Sequence, residues 1–202
     1  SPEFEEVWFD QGGLMPDGAK TIQLCSAASR AAFKFPVSLS LLGDLKTSID
    51  SILRHLKTTA GKGYEADSIA RNEALAIKHL ANVTASEARL KSQWDYQPMT
   101  PARAIWEISS AIPKGTIVVD ESITASVEIA AGFEFSSPGD YFGGRGGGIG
   151  QGIPGALGVK VAHMARPVLC TSGDGSAMYS IQALWTAAHH DLAIVFVIFS
   201  NK

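Results

Sequence analysis

Short hydrophobic runs alternate with amphipathic stretches along the second half of the chain. The runs at 116–119, 168–172 and 193–199 have the length and the branched side chains of buried strands. Between them, apolar residues recur at helical spacing and predict helices at 102–112, near 124–131, at 154–165 and at 177–190. Strands separated by helices are typical of an α/β protein with a doubly wound parallel sheet, and this is the fold class that the pattern predicts.

The first half of the chain contains fewer predicted strands, one at 21–25 and one at 37–42. Two strands are too few for a whole α/β domain, so we expect only part of a domain here. The residues that follow are richer in charge and predict one or two linking helices. The predicted division is a partial α/β domain at 1–57, a linker at 58–98 and the doubly wound domain at 99–202.

Two helix starts are marked by residues that favour helix termini. Gly43-Asp44 opens a run whose apolar residues recur at helical spacing. Thr100 is followed by Pro101, and these residue types are favoured at the N-cap and at the first helical position. The sequence therefore predicts helices that begin directly after Asp44 and Thr100.

The composition favours a folded protein with a large core. Of 202 residues, 46% are hydrophobic and 18% charged, and the net charge is −3. That balance gives no electrostatic basis for binding nucleic acid or an anionic membrane. The longest apolar run, 192–199, has eight residues, against the about 20 that a membrane span needs. We expect a cytoplasmic protein whose two cysteines, Cys25 and Cys170, are reduced and buried.

The clearest chemical signal lies at the end of the strand at 168–172, where Gly173-Asp174-Gly175-Ser176 opens the next helix. Glycines let the backbone turn tightly and approach a ligand, and amides at a helix start bind phosphate. Asp174 adds a carboxylate beside that anion site. A carboxylate next to a phosphate predicts a divalent cation between them, and oxygen ligands favour Mg²⁺.

Asn201 follows Asp174 by 27 residues, after one helix and one strand. The carboxyl ends of neighbouring parallel strands lie at the same edge of a sheet, where ligands bind in such folds. The side-chain oxygens of Asp174 and Asn201 are therefore predicted to share one metal ion.

A glycine-rich segment is the third feature, with nine glycines among the 16 residues 143–158. Such a segment allows a flat ligand to approach the backbone closely. It contains Gly150-x-Gly152-x-x-Gly155, which fits a dinucleotide-binding fingerprint. That fingerprint requires a preceding apolar strand, whereas glycines, Arg145 and aromatic residues precede it here. Dinucleotide binding is therefore the weaker hypothesis.

In combination, these features resemble the thiamine diphosphate motif, in which Gly-Asp-Gly-Ser, a helix, a strand and Asn follow one another. Within that superfamily, 179–188 is similar to benzoylformate decarboxylase and its relatives. The same holds for 147–150 followed by Pro154, and for 120–122 after a strand. Residues 16–20 and 42–44 resemble the end of the family's central domain, so 1–57 is interpreted as part of that domain.

The resemblance implies cofactor contacts for eleven residues. Asp174 and Asn201 would coordinate Mg²⁺, and the carbonyl of Gly147 would bind the aminopyrimidine. Ile149 would support the bent cofactor, and Thr124 would contact the diphosphate. The whole implied cofactor-binding set is Glu121, Ser122, Thr124, Gly147, Gly148, Ile149, Gly173, Asp174, Gly175, Ser176 and Asn201. No residue of the chain is assigned a certain catalytic role.

The activity that the resemblance implies is decarboxylation or cleavage of a small 2-oxo acid with thiamine diphosphate and Mg²⁺, in a homodimer or homotetramer whose active site lies at the subunit interface. No segment resembles the domain that supplies the family's activating glutamate, and the chain ends at Lys202. It is therefore expected to be an inactive fragment of a longer enzyme.

Three alternatives remain open at this stage. The first is a carboligase similar to acetolactate synthase, a transferase that shares all of these motifs. The second is a nicotinamide-dependent oxidoreductase that uses the glycine fingerprint. The third is a regulatory or scaffolding module that keeps the fold without the chemistry.

Overall fold

A computed structural model describes residues 18–31, 36–144 and 148–200 of the chain. The described residues divide into two compact units, one ending at Ala81 and the other beginning at Asn82. The boundary lies inside a long helix, α2 (Lys62–Ser92). The predicted domain limits at 57 and 98 are not tested by this division and stay a prediction. Within the described ranges, no helix is long and apolar enough to cross a membrane.

The first unit contains a two-stranded parallel sheet and the helix that follows it. Its elements are β1 (Ile22–Cys25), a 3₁₀ turn (Ala28–Arg30), β2 (Leu39–Leu42), α1 (Leu45–Thr59) and the start of α2. Both predicted strands are confirmed, and Ile22 pairs with Leu39. The helix predicted to open at Gly43-Asp44 is confirmed, and the structure shows that Asp44 caps it, because its Oδ1 accepts a hydrogen bond of 2.8 Å from the amide of Thr47.

The second unit is built on a four-stranded parallel sheet with the order β4-β3-β5-β6. The strands are β3 (Ile117–Glu121), β4 (Tyr141–Gly143), β5 (Val168–Gly173) and β6 (Val195–Phe199). The helices are α3 (Pro101–Ala111), α4 (Ser126–Gly132), α5 (Gly152–Ala162), α6 (Asp174–Met178) and α7 (Ala183–His189). Every strand pair is parallel, and helices separate most of the strands along the chain. The α/β fold class predicted from the hydrophobic pattern is confirmed.

The core of this unit lies on both faces of the sheet, because successive side chains of a strand point to opposite faces. Ile117 and Val119 of β3 pack with Ile153 of α5 on one face. Val118 packs on the other face with Ile105 of α3 and a residue of β5, Leu169. All five residues of β3 are buried. Together with β5, β3 is one of the two central strands of the sheet, and helices pack on both of its faces.

Strand β4 was not predicted, because its three residues, Tyr-Phe-Gly, are too few to form a recognisable run. Asp140, the residue before β4, fixes this strand to the sheet. The carbonyl of Asp140 accepts a hydrogen bond of 2.9 Å from the amide of Val118. The Asp140 carboxylate accepts a hydrogen bond of 2.7 Å from the Arg166 guanidinium, which also donates to the carbonyl of Gly115. The hydrogen bond from Arg166 lowers the pKa of Asp140.

Two helix predictions differ from the structure. The helix predicted at 177–190 consists of α6 and α7, which are separated by turn residues from Tyr179 to Gln182. The helix predicted from Pro154 begins two residues earlier, at Gly152. The helix predicted after Thr100 is confirmed, since the Thr100 hydroxyl accepts a hydrogen bond from the amide of Arg103.

Side-chain contacts hold the end of α2 within the second unit. Arg89 forms an ion pair with Glu128 of α4, with N–O distances of 3.1 Å to both carboxylate oxygens. Beyond the helix, the Arg103 guanidinium lies 4.7 Å from the ring centroid of Trp94 and donates to its carbonyl. The segment predicted as a linker is therefore largely one helix whose end packs on α3 and α4.

The central position of β5 leads to a stability prediction. Leu169 is 1% exposed, so Leu169→Ala should leave a cavity and lower the free energy of unfolding by about 2–5 kcal/mol. The matched control is Leu75→Ala on α2, where the leucine is 61% exposed and the expected change is within about 0.5 kcal/mol. Urea unfolding of both variants measures the difference. Equal effects of the two substitutions would contradict the burial described here.

Candidate functional site

The candidate site lies at the edge where the carboxyl ends of the parallel strands meet. Two consecutive carboxylates, Asp120 and Glu121, end strand β3, and each residue is only 3% exposed. Buried carboxylates are costly unless donors satisfy them. The donors that satisfy them come from four different segments and define the geometry of this edge.

Asp120 connects three segments. Its Oδ1 accepts hydrogen bonds from the amide of Ser122 at 2.9 Å, from the Ser122 hydroxyl at 2.6 Å and from the Thr171 hydroxyl at 2.9 Å. Its Oδ2 accepts a hydrogen bond of 3.1 Å from the hydroxyl of Tyr141. One buried carboxylate therefore joins the turn after β3 to both neighbouring strands, β4 and β5.

Burial and the contact with Asp120 change the pKa of the Tyr141 hydroxyl. Partial burial, the nearby charge of Asp120 and the hydrogen bond to it together raise the pKa of Tyr141 to about 12. Each of these causes favours the protonated hydroxyl, which is the form that donates to the carboxylate. The raised pKa keeps the Tyr141 hydroxyl protonated, and so able to donate to Asp120, over the neutral and mildly alkaline range.

Glu121 points to a different segment, the start of α5. Its Oε1 accepts a hydrogen bond of 2.9 Å from the amide of Gln151, and its Oε2 accepts one of 3.1 Å from the amide of Gly152. A Cβ at position 152 would lie 2.7 Å from the Cβ of Glu121, so glycine is required there. The carboxylate supplies the cap that no side chain at Gln151 provides, and α5 begins at Gly152 rather than at Pro154.

The turn after β3 has strained backbone. Ile123 has a φ of 54°, a left-handed conformation that is unfavourable for a β-branched residue, and its side chain is 57% exposed. Ser122 before it is buried and Thr124 after it is exposed. The hydrogen bonds from Ser122 to Asp120 hold this turn in place. The exposed Thr124 hydroxyl is available to a ligand at this edge.

The described part of the glycine-rich segment approaches α5 and the turn after α6. Gly148 accepts a hydrogen bond of 2.9 Å from the side-chain amide of Gln151. Gly150 has a φ of 94°, and a Cβ there would lie 2.6 Å from the Cβ of Tyr179. Ile149 between them is 42% exposed. Gly147, which was predicted to contact the cofactor, lies outside the described residues.

The predicted phosphate-binding residues lie at the start of α6, directly after β5. The N-cap residue Gly173 supplies no side-chain cap to the helix. Asp174 is partly exposed, and its Oδ1 accepts a hydrogen bond of 2.8 Å from the amide of Gly175. Beside Gly175 the space is open, since a Cβ there would meet no atom within 4 Å. Ser176, in the same helical turn, is buried.

The predicted metal ligands are described only in part. Asn201 lies outside the described residues, but Gly173 pairs with Phe199 in the register of β5 and β6. The end of β6 is therefore adjacent to Asp174. Among the described residues, no group of three or more His, Cys, Asp or Glu side chains is arranged to hold a metal ion. The oxygens of Asp120 and Glu121 accept hydrogen bonds from within the chain instead.

A cleft of about 200 Å³ opens beside the acidic end of β3. It lies between β4 and the start of α5. Its lining residues are Val119, Asp120, Phe142, Gly143, Gly144, Gln151, Gly152, Gly155 and Val159. Most of this lining is apolar or glycine, so the cleft can hold an uncharged group close to the backbone.

Sequence reasoning missed three residues that organise the site, namely Asp120, Tyr141 and Thr171. Asp120 was noted only as part of a motif. The signal that was available is the serine two residues after it, since an aspartate side chain often accepts from the backbone two residues on. No local pattern could indicate Tyr141 or Thr171, because both contacts form between strands. Cys170, predicted to be buried and reduced, is a buried free cysteine, and burial raises its pKa to about 12.

Comparison with known proteins defines the class to which this arrangement belongs. Residues 124–202 match the family model described as the thiamine pyrophosphate enzyme, C-terminal TPP binding domain. That stretch includes the turn after β3, the glycine-rich segment and α6. The matched stretch therefore carries the TPP binding domain model, and the chain as a whole is similar to thiamine diphosphate-dependent enzymes.

Two relatives of this chain are enzymes whose names refer to different reactions. Benzoylformate decarboxylase of Pseudomonas aeruginosa is 30% identical over 201 residues, which cover 100% of this chain and 34% of the relative. An acetolactate synthase large subunit of Cyanidium caldarium is 26% identical over 165 residues, covering 81% of this chain and 27% of the relative. The chain spans only about one third of the length of the first relative and about a quarter of the second.

The fold is also found in solved structures. The thiamine diphosphate-dependent 4-hydroxybenzoylformate decarboxylase of Rhodococcus jostii matches with a TM-score of 0.68 at 22% identity. The match covers 96% of this chain and 33% of that structure. At this identity the likeness concerns the fold alone, which agrees with the doubly wound architecture.

The contact between Tyr141 and Asp120 predicts a dependence of stability on pH. The folded pKa of about 12 lies above the ordinary value of 10.0, so this contact contributes fully below pH 10 and is lost as the pH rises towards 12. Tyr141→Phe removes the contribution. The difference in the free energy of unfolding between wild type and Tyr141→Phe should therefore shrink between about pH 10 and about pH 12. Urea unfolding measures it, and a difference that does not change with pH would contradict the contact.

Proposed function

We propose that this chain binds thiamine diphosphate together with Mg²⁺ at the edge formed by the turn after β3, the glycine-rich segment and α6. The observation that carries the proposal is the start of α6. There, Gly173-Asp174-Gly175-Ser176 follows the central strand β5 and gives helix amides without a side-chain cap. The same residues lie in the stretch that matches the TPP binding domain model.

The described residues fit a diphosphate at this position. Open space beside Gly175 allows close approach to the backbone, and helix-start amides favour an anion. Within the described part of the chain, Asp174 uses Oδ1 for the amide of Gly175 and has no partner for Oδ2. That oxygen can coordinate a hard cation such as Mg²⁺.

Each element of the edge is proposed to hold one part of the cofactor. Gly173, Gly175 and Ser176 would hold the diphosphate, with Ser122 and Thr124 on the opposite side. Asp174 and Asn201 would coordinate Mg²⁺ by side-chain oxygens. Gly147 and Gly148 would present backbone to the aminopyrimidine, and the exposed side chain of Ile149 would pack under the cofactor. Glu121 lies at the same edge, where its carboxylate accepts from the amides of Gln151 and Gly152.

The proposed reaction is decarboxylation or cleavage of a small 2-oxo acid. When bound, thiamine diphosphate supplies the electron sink that allows CO₂ to leave such an acid. The residues described here bind and orient. The start of α6 would hold the diphosphate, and the glycine-rich segment would lie against the flat ring, beside a cleft lined mostly by apolar residues and glycine.

A carboligase of the acetolactate synthase type is a second candidate, because a relative with that name matches 81% of the chain. Product analysis separates the two candidates. A preparation that turns over benzoylformate to CO₂ and an aldehyde supports the decarboxylase, whereas condensation of two pyruvate molecules to 2-acetolactate and CO₂ supports the carboligase. For either enzyme we propose a cytoplasmic homodimer or homotetramer with the active site at the subunit interface.

The nicotinamide-dependent alternative is disfavoured by the contacts of its fingerprint. A pyrophosphate bound by Gly150-x-Gly152-x-x-Gly155 needs the amides at the start of α5. The carboxylate of Glu121 already accepts from the amides of Gln151 and Gly152. A dinucleotide would have to displace a buried carboxylate and place its own negative charge beside it.

Calorimetric titration of thiamine diphosphate into the chain tests the proposal. With Mg²⁺ the chain should bind, and without Mg²⁺ binding should weaken strongly. Asp174→Ala should raise the Kd at least about tenfold, or about 1.4 kcal/mol, because it removes a metal ligand. The matched control, Asp67→Ala, changes an exposed aspartate of α2 and should leave the Kd unchanged. No binding by the wild type in the presence of Mg²⁺ would contradict the proposal.

A further inference from the structure

The burial and the hydrogen bonds of Glu121 differ from those expected of a residue that binds a cofactor directly. Its carboxylate is almost completely buried, and both oxygens accept hydrogen bonds from backbone amides 30 and 31 residues further along the chain. A ligand to a diphosphate-bound cation would have at least one oxygen open to the edge. Both oxygens of Glu121 instead face the start of α5.

The glycine at position 152 allows the Glu121 carboxylate to approach the amides of Gln151 and Gly152. A side chain at position 152 would lie 2.7 Å from the Cβ of Glu121 and 3.1 Å from its Oε2, so only glycine admits the contact. The negative charge lies at the positive end of the α5 dipole, where a carboxylate is stabilised. Charge-assisted hydrogen bonds of this kind are also stronger than neutral ones.

The contact fixes one end of the glycine-rich segment. Gln151 is held by Glu121 at its amide and donates its own side-chain amide to the carbonyl of Gly148. Between these residues, Gly150 packs against Tyr179, which follows α6. The residues from Gly148 to Gly152 are therefore held at one end by β3 and in the middle by the turn after α6. Ile149 lies between those two contacts.

We propose that Glu121 is a positioning residue and not a cofactor ligand. It holds the end of the glycine-rich segment against β3 and thereby sets the place of Gly148 and Ile149. The inference rests on the proposed function, because those two residues are the proposed contacts to thiamine diphosphate. A consequence is that the first amides of α5 are not available to an anion.

Amide hydrogen exchange measured by NMR tests the inference on the whole chain. Glu121→Gln keeps the size of the side chain but removes its charge and one of its two acceptor oxygens. Exchange at the amides of Gln151 and Gly152 should become about tenfold faster or more, as expected for the loss of such hydrogen bonds. Unchanged exchange at both amides would overturn the proposal.

Two further variants make the result specific. Asp44→Asn changes net charge equally and alters another helix-capping carboxylate, on α1, and it should leave exchange at Gln151 and Gly152 unchanged. If Glu121→Gln does not fold, Gly152→Ala gives the same information, since the added Cβ pushes Glu121 away from the amides. It should speed exchange at Gln151 to a similar extent, and normal protection there would overturn the proposal.

Cofactor binding separates positioning from direct ligation. In the wild type, adding thiamine diphosphate and Mg²⁺ should leave the amides of Gln151 and Gly152 protected, because Glu121 stays on them. Loss of protection on saturation would mean that Glu121 turns to the cofactor, and would overturn the proposal. Glu121→Gln should also raise the Kd for the cofactor about tenfold. If the wild type binds no cofactor, the proposed function fails, whereas the exchange data still decide whether Glu121 holds this segment.

Discussion

The site depends on the burial of two consecutive carboxylates at the end of the central strand β3. Burying a carboxylate costs free energy unless donors replace water. Asp120 and Glu121 together accept six hydrogen bonds, and the donors come from the turn after β3, from β4, from β5 and from the start of α5. Because each segment supplies a donor, each is fixed relative to β3. The buried carboxylates of Asp120 and Glu121 therefore fix the positions of these four segments at this edge of the sheet.

The starts of α5 and α6 differ in the groups that contact their backbone amides. The start of α5 is neutralised by Glu121, whereas the start of α6 has no side-chain cap and open space beside Gly175. The turn after β3 contains strained backbone at Ile123, and strain of this kind concentrates at ligand sites held by their surroundings. Among the described residues, Gly148, Gln151 and Gly152 are held by hydrogen bonds within the chain, and such preorganisation lowers the entropy cost of binding a ligand.

Much of the fold could be predicted from the sequence because the signals are local. Thr100 with Pro101 and Asp44 mark helix starts, and the apolar runs mark β3, β5 and β6. Strand β4 could not be predicted, since it depends on Asp140 contacting Val118 and Arg166. The glycines marked the segment that opens α6, although the predicted start near Ala177 was three residues too late. The roles of Asp120 and Glu121 were not recognised, because their partners lie up to 51 residues away.

The most direct test of this account is a crystal structure of the chain with thiamine diphosphate and Mg²⁺. We predict that the diphosphate lies against the amides of Gly175 and Ser176, with the metal bound by Asp174. Glu121 should remain within hydrogen-bond distance of the amides of Gln151 and Gly152. A diphosphate at the start of α5, or a Glu121 carboxylate turned towards the cofactor, would contradict the account.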